Sequence, residues 1–156
     1  MGLLPFSVCA ADIPKEGTVN FTAFWVMTSL NVMQQGNRAF ATYELEGITR
    51  TDAGAPMFDS FGQRCMGLAE LVDNKLQDIL GTCSFTDRDG DHIFMPYSGK
   101  GDGKGGDNGT FKLVGGTGKF TGITGTAEYS NPGLPIKADD KALRGVVPHK
   151  VSWKLP

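Results

Sequence analysis

The chain has 156 residues, 40% of them hydrophobic, with a formal charge of −2 at pH 7. That length suits one domain with a real core. The charge excludes the concentrated basic face that nucleic acid requires, and no apolar run approaches the ~20 residues of a membrane span. Twenty-two glycines, eight prolines and no long amphipathic pattern point to an all-β chain.

Leu3 to Ala11, LLPFSVCAA, is a short apolar run closing on small residues, with polar Asp12 after it. It reads as the tail of a secretory signal, which would place the protein in the periplasm or outside the cell. It reads equally as an apolar arm of a cytoplasmic protein, because no Lys or Arg precedes Lys15. Residues 1–17 are set apart on this ground, and 18–156 form the folded domain.

Thr18 to Met33 is a long extended run. Phe21, Ala23, Trp25 and Met27 face one way, and Thr22, Phe24, Val26 and Thr28 the other. Both faces are largely apolar, so the outer one calls for a cover, most simply another subunit. Arg38 to Arg50 alternates, with Tyr43 and Leu45 inward and Glu44 and Glu46 outward. After a loop at Thr51–Pro56 come strands at Phe61–Leu71 and Gln77–Thr86, joined by a turn centred on Asn74. That register sets Cys65 opposite Cys83 on one face, as a disulfide in an oxidising compartment or as two small buried thiols. Arg64 and Glu70 lie on the opposite, outward face.

A tight turn at Asp87–Gly90 precedes a strand from Asp91 to Tyr97. Gly99 to Gly109, GKGDGKGGDNG, reads as a surface loop unable to pack a core. Strands at Thr110–Val114 and Ile123–Tyr129 flank a glycine-rich corner in which Phe120 is the one large apolar anchor. Pro132 to Gly145 is an irregular crossing. Val146 to Leu155 is the last strand, with Val151, Trp153 and Leu155 toward the core. Eight strands result, the number at which a closed barrel holds side chains or one small ligand.

Val114-Gly115-Gly116-Thr117-Gly118-Lys119-Phe120 resembles the VGGTGKF run of plant dirigent proteins. The wider segment resembles the allene oxide cyclase barrel, where a GGSGIFEG-type corner sits between two late strands. Ser84 to His92, SFTDRDGDH, is similar to the cyclases' SFYFGDYGH segment, and Cys65 falls near a cysteine of their third strand. The likeness runs from about Phe61 to Ser130. It implies a single eight-stranded antiparallel β-barrel of the allene oxide cyclase, calycin-like kind, and association as a homotrimer. It also implies small-molecule chemistry inside the barrel: the cyclases steer ring closure of an allylic epoxide, and dirigent proteins steer phenoxy-radical or quinone-methide coupling. The cyclases' carboxylate and amide residues of the first strand are replaced here by Asn20-Phe21-Thr22-Ala23-Phe24-Trp25, so their own reaction is not expected.

Other chemistries fail on spacing. Asp87 to Asp91 places its glycine two positions early for a calcium loop, and Ser98 stands where a glutamate is needed. Neither glycine-rich run has phosphate-loop or dinucleotide spacing, two histidines are too few for a histidine-built metal site, and no nucleophile elbow occurs. His92 reads as a surface hydrogen-bonding residue. What remains is an apolar interior lined by Trp25, Tyr43, Phe85 and Trp153, or simply filled by them. Tyr43 and His149 are its polar handles and the candidate catalytic pair, although His149 reads first as a satisfied core residue. No cofactor is called for, and inward titratable groups look few. The expected function is a cofactor-free cyclase or isomerase acting on a hydrophobic small molecule. A non-catalytic carrier or dirigent-like guide using the same pocket is the alternative.

Overall fold

The computed structural model describes residues 13–52, 54–133 and 143–156. The expectation for Leu3–Ala11 therefore lies outside the described residues, as does most of the Pro132–Gly145 crossing. The long strands are β1 (Glu16–Gln35), β2 (Arg38–Thr51), β3 (Gly62–Val72), β4 (Lys75–Thr86), β5 (His92–Gly101), β6 (Asp107–Leu113), β8 (Thr124–Asn131) and β9 (Arg144–Lys154), with a two-residue strand β7 at Gly115–Gly116. They run in the order β4-β3-β2-β1-β9-β8-β6-β5, and β4 pairs with β5 to close the ring. Every pairing is antiparallel. The fold is the closed all-β barrel that the resemblance implied, and the one helical element among the described residues is a single 3₁₀ turn, Gly118–Phe120.

Period-two patterning explains the wall. Along β9, Gly145, Val147, His149, Val151 and Trp153 are buried, and every residue between them is exposed. The β3–β4 turn is tighter than the sequence suggests: only Asp73 and Asn74 form it, both at positive φ. A bulge after Glu70 restores the lost residue, so Cys65 still faces Cys83, and the two are joined as a disulfide.

The end of the barrel that holds the start of β1 is plugged. Phe21 stacks on Phe58 at 4.9 Å, Phe58 packs on Phe61 at 5.5 Å, and Phe85 meets Phe58 edge-on at 5.8 Å. Met57 and Phe58 reach this stack from the loop between β2 and β3 and are fully buried. The glycine-rich corner closes the same end, with Phe120 fully buried and 5.8 Å from Phe61. The corner is held by the Asp87–Asp91 turn. Lys119 ion-pairs with Asp87 and Asp89, its backbone N–H donates to Asp91 at 3.2 Å, and the His92 N–H donates to Thr117 Oγ1 at 2.9 Å. A Cβ on Gly118, at φ +47°, would fall 1.9 Å from the Asp91 carboxylate, so the clip accepts only glycine there. The two segments that carry the family resemblance thus bind each other.

The Gly99–Gly109 run is not the loop expected of it. β5 extends through Gly101 and β6 starts at Asp107, with Gly99 opposite Gly109 and Gly101 opposite Asp107. The connection is only residues 102–106, closed by the Asp102 carboxylate accepting the Lys104 and Gly106 N–H groups at 2.7 and 2.9 Å. Gly99 and Gly109 suit the ladder because both lie against the Tyr129 side chain inside the barrel.

A hairpin disulfide of this sequence separation, 18 residues, contributes about 3 kcal/mol by constraining the unfolded chain. Replacing Cys65 and Cys83 together by alanine should lower the melting temperature by roughly 6–12 °C for a chain of this size. Intact mass under non-reducing conditions checks the bond itself, and free thiols at Cys65 and Cys83 on the native protein would contradict it.

Candidate functional site

The opposite half of the barrel is built around tyrosine. The chain has three tyrosines, and Tyr43, Tyr97 and Tyr129 all point inward near the ends of β2, β5 and β8 that face away from the plug. They fit because the wall facing them lacks side chains. A Cβ on Gly67 would lie 2.4 Å from the Tyr43 hydroxyl, and one on Gly81 2.6 Å from that of Tyr97. One on Gly99 would lie 2.2 Å from the Tyr129 hydroxyl, and one on Gly109 2.5 Å from its ring. The tyrosine rings occupy the space those side chains would have filled.

The hydroxyls of Tyr43 and Tyr97 hydrogen-bond to each other. Tyr129 donates to Asp107 Oδ2 at 2.6 Å, and Asn131 Nδ2 donates to Asp107 Oδ1 at 2.8 Å. Phe111 joins the two groups, 4.9 Å from the Tyr97 ring and 5.4 Å from that of Tyr129. His149 stacks on Phe21 at 4.5 Å and lies 5.9 Å from the Tyr129 ring. Its Nδ1 faces the Val147 carbonyl at 2.8 Å; a carbonyl only accepts, so Nδ1 carries the proton and Nε2 keeps its lone pair.

Burial sets the electrostatics. It pushes the Tyr43 phenol well above its ordinary value, helped by Tyr97 beside it. It carries Tyr97 up to about 12 and raises Tyr129, whose proton Asp107 also holds. Burial likewise raises the Asp107 carboxyl, opposed by its bonds from Tyr129 and Asn131 and helped by nearby Asp102. His149 is pushed down to about 4, again by burial, and is a neutral imidazole at neutral pH.

Around this cluster lies a second apolar group. Ala41 and Ala69 are buried, and Met27, Leu45, Leu71, Leu76 and Ile79 are partly buried beside them. A bulge between Met27 and Ser29 brings Leu30 and Val32 opposite the inward Tyr43 and Ala41. Both aliphatic side chains remain exposed, at 47% and 58%.

The structure brings Tyr43 and His149 into this half, with Trp25 half-buried and its ring over Gly145. Phe85 and Trp153 belong to the plugged half instead: Phe85 packs on Phe21 and Phe58, and the Trp153 Nε1 donates to the Pro14 carbonyl at 3.1 Å. The expectation of few inward titratable groups is overturned by Tyr97, Tyr129 and Asp107. The signal for them was in the sequence. The phase Tyr97, Gly99, Gly101 and Asp107, Gly109, Phe111 continues the inward alternation straight through the run that reads as a loop. Gln63 is a further buried polar group; its amide donates to Cys65 Sγ at 3.1 Å and its Oε1 has no partner.

The outer wall carries no comparable constellation. His92 Nδ1 bonds the Ser84 and Thr86 hydroxyls at 2.9 Å each, in keeping with its surface reading. Two shallow hollows lie either side of Arg64, of about 420 and 230 Å³, among outward residues such as Val26, Ile48, Met66 and Phe94. Among the described residues no group of His, Cys, Asp and Glu is arranged to hold a metal ion, and no helix is long and apolar enough to cross a membrane.

The closed antiparallel barrel is the fold the chain shares with a dirigent protein. The chain is similar in fold to the pterocarpan synthase dirigent protein GePTS1, with a TM-score of 0.54 and 12% identity over 99% of this chain and 98% of that one. No protein-family model and no curated protein matches the sequence.

The phenols are raised above their unfolded value of 10.0. The stability they lend is therefore fully present below pH 10 and lost as pH rises through their raised values, about 12 for Tyr97 and higher still for Tyr43 and Tyr129. Near-ultraviolet titration of the folded protein should show no tyrosinate near pH 10, and the signal should appear only with alkaline unfolding. Ionisation of even one phenol near pH 10, with the fold intact, would contradict the cluster.

Proposed function

We propose that the tyrosine-lined half of the barrel binds a hydrophobic small molecule bearing an oxygen function and steers its ring closure or isomerisation without a cofactor. The observation that supports this reading is the gathering of three phenols, one carboxyl group and one neutral imidazole among apolar side chains. Phenols that stay protonated far above neutral pH are ready donors to negative charge developing on a ligand oxygen. The Asp107–Tyr129 pair is a proton acceptor and donor in direct contact, and the His149 Nε2 is a second acceptor. The apolar surround excludes water and orients the ligand, which supplies much of the acceleration such reactions need.

The similarity in fold to a pterocarpan synthase dirigent protein favours a second reading, in which the same chamber guides a reactive ligand without proton transfer. The two readings part on variants. With a co-purified ligand identified by native mass spectrometry, Tyr43→Phe and His149→Ala should lower turnover by about tenfold or more while binding is kept. If the ligand emerges unchanged after prolonged incubation and the variants alter affinity alone, the guide reading replaces the catalytic one.

The assembly proposed is a homotrimer. Phe24, Ile48 and Val146 form an exposed apolar row across β1, β2 and β9, at 43%, 50% and 45% exposure, suited to burial between subunits. Sedimentation should give the mass of three chains, and a monomer at micromolar concentration would overturn it. Export to an oxidising compartment is proposed on the strength of the Cys65–Cys83 bond.

A further inference from the structure

Asp107 is only 3% exposed, and among the described residues no ion pair reaches it. Both carboxylate oxygens accept hydrogen bonds, but from neutral donors, the Tyr129 hydroxyl and the Asn131 amide. The neighbouring charge that acts on it is another carboxylate, Asp102, at the rim of the same half. Buried carboxylates are ordinarily paired with a cation, because an uncompensated charge in a low-dielectric interior is costly. The aromatic surround is of the type that attracts cations: Tyr97, Phe111 and Tyr129 lie within 4.9–6.5 Å of one another, centre to centre, and Tyr97 stands nearly perpendicular to Tyr129. The imidazole nearby adds no positive charge, since His149 is neutral at neutral pH.

We infer that the ligand of this chamber carries, beside its oxygen function, an amine whose ammonium group pairs with Asp107 and lies against the faces of Tyr97, Tyr129 and Phe111. This rests on the reading that the tyrosine-lined half is a ligand chamber and adds the charge of the ligand to it. The chemistry discriminates between molecules of the same shape. An ammonium supplies the charge the carboxylate lacks and is attracted by the ring faces. An alcohol of equal size gains only a neutral hydrogen bond, and a carboxylic acid brings like charge to Asp107 and Asp102.

Binding of 1-naphthylmethylamine, 1-naphthylmethanol and 1-naphthoic acid to the full chain at neutral pH, followed by calorimetry, tests this. The amine should bind about tenfold or more tighter than the alcohol, the increment expected of a desolvated cation among aromatic rings, and the acid weakest. Asp107→Asn keeps the shape and both hydrogen-bonding partners, and should bring the amine to the affinity of the alcohol. Alcohol and amine binding equally to the wild-type chain would overturn the amine inference and leave the chamber standing. The same holds if Asp107→Asn, folded by circular dichroism, keeps the amine preference. Should Asp107→Asn fail to fold, the wild-type comparison decides alone. If none of the three probes binds, the chamber reading falls together with the inference.

Discussion

The interior rests on side-chain space removed from one part of the wall. Where β3, β4, β5 and β6 face Tyr43, Tyr97 and Tyr129, they present glycine, and a single methyl at any of Gly67, Gly81, Gly99 or Gly109 would come within 2.2–2.6 Å of a tyrosine atom. A barrel of eight strands is just wide enough to be filled by ordinary side chains. Without the glycines the three rings would be driven outward, and the tyrosine-lined half would become a second plug. The glycines carry a cost, since each weakens its strand by loss of chain entropy and of packing surface. A cost borne at four inward positions on neighbouring strands is explained by what the space then holds.

The two halves solve different problems. The plugged half supplies stability: a stack of phenylalanines, three of them (Phe58, Phe61 and Phe120) sent in from loops and corners, and a clip in which Lys119 spans two aspartates. The tyrosine-lined half spends stability on polar groups held away from water. Tyr129, Asp107 and Asn131 satisfy each other, and His149 satisfies its own strand at the Val147 carbonyl, so the cluster is hydrogen-bonded rather than orphaned. Phe21 and Phe111 lie on the border, and His149 stacks on the first, which places the imidazole between the phenylalanine-packed half and the tyrosine-lined one.

The strands and the inward phase of β9 were legible because a half-buried sheet writes its period into the sequence, whereas closure into a barrel came from the resemblance to the dirigent and cyclase barrels. The register of Cys65 against Cys83 was legible for the same reason, although the turn beside it is one residue shorter and a bulge makes up the difference. Three features escaped. Met57 and Phe58 sit in a loop with no periodicity, and their role depends on a hole in the barrel end that only the closed sheet creates. Asp107 and Tyr97 were hidden by low complexity: glycine suggests a loop by composition, yet its absence of side chain is also what a neighbouring tyrosine requires. Leu30 and Val32 read as simple continuations of β1, and the bulge at Thr28 reverses which face they join.

Because every tyrosine of the chain belongs to the cluster, one spectrum reports on the cluster and nothing else. The protein labelled with 3-fluorotyrosine should give three dispersed fluorine resonances in the native state. Titration with a small hydrophobic ligand that enters this half of the barrel should move or broaden all three together, since the rings share walls. Resonances clustered at the position of the unfolded chain, or a bound ligand that leaves all three unmoved, would contradict a ligand chamber built on Tyr43, Tyr97 and Tyr129.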